Sequence, residues 1–223
     1  MIVMNDQETE APRHYSPLDR LIMGIDQSLK LSSGNAPEST RSNPADGLAS
    51  SEMTGQELDH VAGLMRINHT GEICAQALYA GQAATARNPE VRRKMEQAAS
   101  EEIDHLSWCS DRLDELNSKA SLLNPLWYAG SFTLGAIAGI AGDEWSLGFI
   151  KETENQVESH LQDHLEELPA GDERSHAILE QMKTDEAQHA EMAEAAGALP
   201  LPEPIREAMA FSAGIMKALA YRF

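Results

Sequence analysis

Apolar residues recur three and four positions apart along most of the chain, and no stretch alternates strictly enough to read as a strand. Residues 16–31, SPLDRLIMGIDQSLKL, offer Ser16 as a cap, Pro17 at the first helical position and a Leu/Ile/Met stripe, which predicts a short amphipathic helix. Residues 32–53 have almost no large apolar side chains and read as a flexible linker. Thr54-Gly55-Gln56-Glu57 is a capping-box pattern that opens a helix running to about Arg87, where Asn88-Pro89 stops it. Further helices are expected over about 90–117, 145–168, 172–196 and 203–223, with an apolar, glycine-dotted stretch at 122–142. The class is all-α: residues 1–53 form a short helix and linker, and residues 54–223 a helical bundle domain.

The candidate chemistry lies in a repeated acid and histidine pattern. Glu-x-x-His places both side chains on one helix face, where they can bind one ion or bridge two. An acid-rich chain makes this spacing cheaply, and it occurs four times. Glu57/His60 falls in the capping box, and Glu173/His176 falls in the first turn after Pro169-Ala170-Gly171, where acids are favoured in any case. Glu102/His105 and Glu186/His189 lie mid-helix, and each has a candidate partner on the preceding helix: Glu72, 30 residues before Glu102, and Glu154, 32 residues before Glu186.

The chain thus reads as two similar helical hairpins, Glu72–His105 and Glu154–His189. Packed together they give a four-helix bundle into which single glutamates from two helices and Glu-x-x-His pairs from the other two project. Four buried carboxylates without counter-charge would each cost several kcal/mol. Two divalent cations supply the missing charge, and an oxygen-rich set with one histidine per ion suits Fe or Mn better than Zn or Mg.

Charge and cysteine content narrow the setting. With 36 acids against 17 Lys+Arg the net charge is −19, which argues against a nucleic-acid partner. The two cysteines, Cys74 and Cys109, sit singly in helical patterns and fit a reducing compartment, and the N-terminal residues lack the basic flank and apolar run of a secretion signal.

The stretches LMRINHTGEICAQALYAGQ, EEIDHLSWC, ETENQVESH and KTDEAQHAEMAEAAGA together resemble the demethoxyubiquinone hydroxylases of ubiquinone biosynthesis, a ferritin-like di-iron family. The likeness covers SPLDRLIMG and then about residue 54 to the C-terminus. It implies Glu72, Glu102, His105, Glu154, Glu186 and His189 as ligands of two Fe ions. It also implies His160 as a relay near the metals, although Leu161 follows where some members carry a tyrosine. In related di-iron bundles the acid just before one Glu-x-x-His reaches across to the histidine of the other half. That assigns Asp185 to His105 and Glu101 to His189, and leaves Asp104 without a role. The implied reaction is hydroxylation of a polyprenylated methoxy-methyl-benzoquinol by O₂, with electrons from the quinol itself or from NADH.

A polyprenyl substrate implies a peripheral place on the cytoplasmic face of the cell membrane. Residues 120–142 give 23 uncharged positions, just long enough to span, but one crossing would separate the two halves of the site. The expectation is an apolar segment folded onto the bundle and dipping into the interface, with a buried core helix as the alternative. The C-terminal stripe Ile205, Met209, Ile215, Met216, Leu219 either lies beside it or caps the bundle. The resemblance leaves room for a homo-oligomer and for contacts with other ubiquinone-pathway proteins. Iron storage and a membrane-associated scaffold are the competing functions, and two cysteines cannot build the Cys₄ site of rubrerythrin-type electron transfer.

Overall fold

The computed structural model describes residues 38–50 and 52–223, together with scattered positions between 15 and 26. The helix expected at 16–31 lies largely outside the described residues. At its start the Ser16 amide and hydroxyl donate to the Asp19 carboxylate, and the Asp19 amide donates back to Ser16 Oγ, the reciprocal pattern of a helix start.

The domain is built from α1 (Gly55–Thr85), α2 (Pro89–Glu115), α3 (Asn124–Ala141), α4 (Asp143–Glu167), α5 (Glu173–Ala195) and α6 (Glu203–Ala220), with no strand among the described residues. The Thr54–Glu57 capping box opens α1 as the sequence predicts, and Asn88 caps α2 with Pro89 at its first position. The α3–α4 junction is tighter than the sequence suggests. Gly142 alone, at φ 130°, separates the two helices, a conformation that glycine adopts without penalty. Asp143, just beyond it, accepts the backbone N–H groups of Arg87 and Asn88 and so fastens the α1–α2 turn to the start of α4.

Helices α1 and α2 form one hairpin, α4 and α5 the other, and α3 lies along α1 outside the four. The α1–α3 approach is very close. A Cβ added at Gly135 would lie 2.2 Å from the Leu78 carbonyl oxygen, and one at Gly81 would lie 2.2 Å from that of Phe132. Glycine therefore sets the helix separation here, as small residues do where backbones pack directly. Tyr128 and Phe132 are buried on this inner face, whereas Leu126, Leu134, Ile137 and Ile140 are exposed on the other. The segment is thus half buried, neither a core helix nor free, and among the described residues no helix is long and apolar enough to cross a membrane.

Inside the bundle the core is layered. One apolar cluster holds Met65, Trp108, Leu113, Leu161, Ile178 and Met182; a second, at the other end, holds Tyr79, Met95, Leu147, Ile150 and Ala193. On α1, α2, α4 and α5 Glu72, Glu102, His105, Glu154, Glu186 and His189 fall between the residues of these two clusters.

The expected flexible linker is in part fastened down. Ala45 is buried in the first cluster, Arg174 donates to the carbonyls of Ala45 and Leu48, and Ser39, Thr40 and Arg41 bind Asp104. A polar segment without large apolar residues is held here by hydrogen bonds, which hydropathy does not register.

Gly135→Val should drive α3 away from α1 and cost ~1–3 kcal/mol, the range for overpacking a close contact. Denaturant unfolding of the variant measures it, and an unchanged midpoint would show that α3 is not held by this contact.

Candidate metal centre

Helical register brings the chemistry together. Glu72 and Glu154 occupy matching places on α1 and α4, and the two Glu-x-x-His pairs do so on α2 and α5, so all six side chains point into the layer between the apolar clusters. Glu72, Glu102, His105 and Glu186 each offer a ligand atom within 4.8 Å of the others, and so do Glu102, Glu154, Glu186 and His189. Glu102 and Glu186 belong to both groups. Two four-residue groups sharing two carboxylates fit a site that could hold two ions, with Glu102 and Glu186 common to both.

All six are buried. His105 Nδ1 stands 2.9 Å from Glu102 and 3.2 Å from Glu186; His189 Nδ1 stands 3.2 Å from Glu102 and 3.3 Å from Glu186. Both Glu102 oxygens, Glu154 Oε2 and His105 Nδ1 are buried without a hydrogen-bond partner. Burial pushes the Glu72 and Glu154 carboxyls well above the usual carboxylate range, and the facing carboxylates add to it. Burial acts the same way on Glu102 and Glu186, but the imidazoles of His105 and His189 hold both below that range. The His105 and His189 rings, which burial alone would make less basic, are instead raised by the carboxylates around them. The cluster therefore requires positive charge at its centre, either as protons on two imidazoles or as divalent cations. Inward-facing acceptors without partners fit the second.

The outward nitrogens are held in a crossed arrangement. His105 Nε2 donates to Asp185 Oδ2 at 2.9 Å, and His189 Nε2 donates to Glu101 Oε2 at 2.9 Å. Each acid precedes the glutamate of one half and serves the histidine of the other. A proton fixed on Nε2 leaves Nδ1 free to face an ion.

His160 stands elsewhere. Its Nδ1–H donates to the Gln156 carbonyl at 3.2 Å, its ring packs on that of His164, and it lines an apolar cavity between α1, α3, α4 and α6. Burial, with His164 and Lys217 nearby, lowers its pKa to about 3. The imidazole is thus neutral, with Nε2 left as an acceptor.

Sequence reasoning passed over several residues. Tyr79 is buried and its hydroxyl donates to Glu154 Oε1 at 2.5 Å, which leaves Oε2 to face the centre. The signal was its place seven residues after Glu72, two turns further along the same helix face. Leu161, seven after Glu154, holds the matching register without a hydroxyl. The Asn-His-Thr before Gly71 forms a buried polar belt: Asn68 accepts from His164 at 3.0 Å, His69 meets Ser110 at 3.1 Å, and Thr70 donates to Asn124 at 3.0 Å. Three consecutive residues thus tie α1 to α4, α2 and α3.

A helical bundle with a buried carboxylate and histidine cluster is the arrangement of the ferritin-like carboxylate proteins. Residues 59–220 match the family model of ubiquinone biosynthesis protein COQ7, and the chain belongs to that family. A relative from Xanthomonas campestris pv. campestris is 56% identical over 211 residues, covering 95% of this chain and 97% of its own. One from Xanthomonas oryzae pv. oryzae is 55% identical over 215 residues, covering 96% and 99%. Another from Cupriavidus pinatubonensis is 55% identical over 207 residues, covering 92% and 100%. All three carry the name 3-demethoxyubiquinol 3-hydroxylase.

Tyr79→Phe should leave the fold intact and weaken divalent-ion binding ~10–100-fold, the usual loss when a ligand's partner is removed; competition titration with a metal-sensitive dye measures it. Burial lowers the pKa of both His69 and His164 to about 4, from an ordinary value of 6.5. A folded pKa below the unfolded one means that these rings remain neutral as pH falls past 6.5, while the unfolded chain takes up protons and gains on the fold down to about pH 4. Their imidazole proton resonances should not move between pH 8 and ~5.5.

Proposed function

We propose that this chain hydroxylates a polyprenylated methoxy-methyl-benzoquinol, demethoxyubiquinol, with O₂ at a pair of iron ions held by Glu72, Glu102, His105, Glu154, Glu186 and His189. The observation that carries the reading is the buried cluster set directly behind an apolar cavity. The cavity, of about 230 Å³, is lined by Leu78, Trp127, Leu134, Phe149, Met209 and Met216, among others. Its α1 and α4 walls include Gly71 and Thr153, the residues immediately before Glu72 and Glu154. Ala75, Leu78, Phe149 and Thr153 border both this cavity and a closely packed gap beside Glu154 and Tyr79, so a single layer of side chains separates the cavity from the site.

Iron bound there would supply O₂ activation, with one oxygen atom entering the quinol ring and the other leaving as water, the two electrons and two protons this needs coming from the quinol itself or from NADH with a proton. The chain's own residues do the rest. Asp185 and Glu101 fix the two imidazoles, Tyr79 orients Glu154, and the apolar walls hold the ring and the start of its tail away from water. His160, which lines the cavity and keeps Nε2 as an acceptor once Nδ1 is engaged by Gln156, is a candidate to accept a hydrogen bond from a quinol hydroxyl.

A polyprenyl tail is far longer than a cavity of this volume can enclose, so it must run out of the protein into an apolar medium. Leu134 of α3 lines the cavity and is itself partly exposed, Leu126, Ile137 and Ile140 are exposed on the same helix, and Phe211 and Ile215 are exposed on α6, the other wall. This surface suits a helix pair lying on a bilayer with its apolar side down. The protein would then sit peripherally on the cytoplasmic face of the membrane and take its substrate directly from the lipid.

Glu102→Ala and His189→Ala should each lose bound iron and hydroxylation together, and full activity in either would sink the assignment. Cells lacking the protein should accumulate demethoxyubiquinone, read by mass spectrometry of extracted quinones. Charged substitutions at Leu126 and Ile137 should abolish flotation with liposomes while leaving helix content unchanged. Equal flotation of both proteins would place the membrane surface elsewhere.

A further inference from the structure

The Ser39-Thr40-Arg41 segment closes over the outer side of α2 and reaches the centre through one shared oxygen atom. Ser39 Oγ and the Thr40 N–H donate to Asp104 Oδ1 at 2.8 and 2.7 Å, and Arg41 Nε donates to Asp104 Oδ2 at 2.8 Å. Asp104 is buried, so a carboxylate inside the domain takes hydrogen bonds from three successive residues of this strap. The other arm of the same guanidinium, Nη2, donates to Asp185 Oδ2 at 2.8 Å, the oxygen that also accepts from His105 Nε2 at 2.9 Å. The guanidinium carbon lies 4.7 Å from the centre of the Trp108 ring, which itself packs 5.4 Å from the His105 ring. We propose that Arg41 is a positioning residue for His105 and that, by sharing Asp185 with it, Arg41 makes the two ion positions of the centre unequal.

The comparison between halves carries the inference, which rests on the two-ion reading of the site. His105 donates to Asp185 and His189 to Glu101, both at 2.9 Å. The second oxygen of each acid is held from one turn earlier on its own helix, by Gln181 on Asp185 at 2.9 Å and by Gln97 on Glu101 at 3.0 Å. The halves match to this point and then diverge: Asp185 carries a guanidinium, whereas among the described residues Glu101 forms an ion pair only with His189. A carboxylate on the outer nitrogen raises the donor strength of a ligating imidazole. A cationic donor on that same oxygen withdraws part of the negative charge, so His105 is the weaker donor of the two. The planar fork also ties Asp185 to Asp104 in one geometry, which fixes the direction from which His105 is held.

The test is ⁵⁷Fe Mössbauer spectroscopy of the full chain loaded with ferrous iron, with iron counted per chain and melting temperature recorded alongside. The wild type should hold two irons and show two distinct quadrupole doublets. In Arg41→Gln one doublet should move towards the other, while Glu101→Gln should move the other member of the pair. Arg41→Lys should restore the first doublet only in part, because an ammonium holds one carboxylate and cannot span two. Ser39→Ala loosens the strap but keeps the guanidinium, and should lower the melting temperature with the spectrum unchanged. If Arg41→Gln behaves as Ser39→Ala does, losing melting temperature with the wild-type spectrum, the strap is only a staple and the proposal is overturned while the two-ion centre stands. A wild type that binds no iron pair overturns the centre, and the role of Arg41 with it.

Discussion

Four carboxylates share one dry layer of the bundle, and that concentration of negative charge is the constraint on which the rest of the structure turns. Glu72, Glu102, Glu154 and Glu186 are each no more than 3% exposed. Removing one such ion from water costs several kcal/mol even after relaxation, which is comparable with the whole stability of a domain. The apolar clusters at either end supply burial but cannot supply charge. The layer needs positive charge at its centre, as protons on the two imidazoles or as cations, and the oxygens without partners are open to the second. The fold thus gathers acids where their repulsion and burial favour the entry of positive charge.

Holding that imbalance in one geometry requires support from outside the layer, and the polar contacts are placed accordingly. Arg112, itself buried, bonds Asp172 and Ser175 at the start of α5, and so locks the two hairpins together beyond the first apolar cluster. The belt of Asn68, His69 and Thr70 joins α1 to three helices on the glutamate side. Asp185 and Glu101 tie α5 to α2 directly across the centre. These contacts are individually modest, but buried networks of this kind fix one arrangement among many that an apolar core of the same volume would accept.

Much of this was legible in the sequence because it depends on helical register. Spacing of three within Glu-x-x-His, and of 30 and 32 residues between hairpin arms, is enough to gather six side chains once the helices pack antiparallel. Helix ends were equally readable where Thr54, Asn88 and Pro89 mark them. The strap was not readable, because residues 39–48 are held by hydrogen bonds and one buried alanine, and neither leaves a periodic trace. Asp104 looked idle for the same reason: its partners lie 63 to 65 residues away. The position of His160 was unreadable too, since which face of α4 meets the cavity depends on where α3 and α6 settle.

The placement of α3 links the centre to its substrate. An additional helix over α1 could have sealed the bundle, yet its contact with α1 runs through glycines, so α3 lies close while its larger residues remain for other uses. Trp127 and Leu134 face the cavity, while Leu126, Ile137 and Ile140 face outward. The same helix therefore provides a wall for the cavity and an exposed apolar face, the face assigned to lipid in the function proposed above. Close backbone packing at Gly81 and Gly135 is what holds α3 tight against α1. A membrane-borne quinol can reach a buried charged site only if the distance from the lipid-facing surface to that site is no longer than the head group and the first units of its tail.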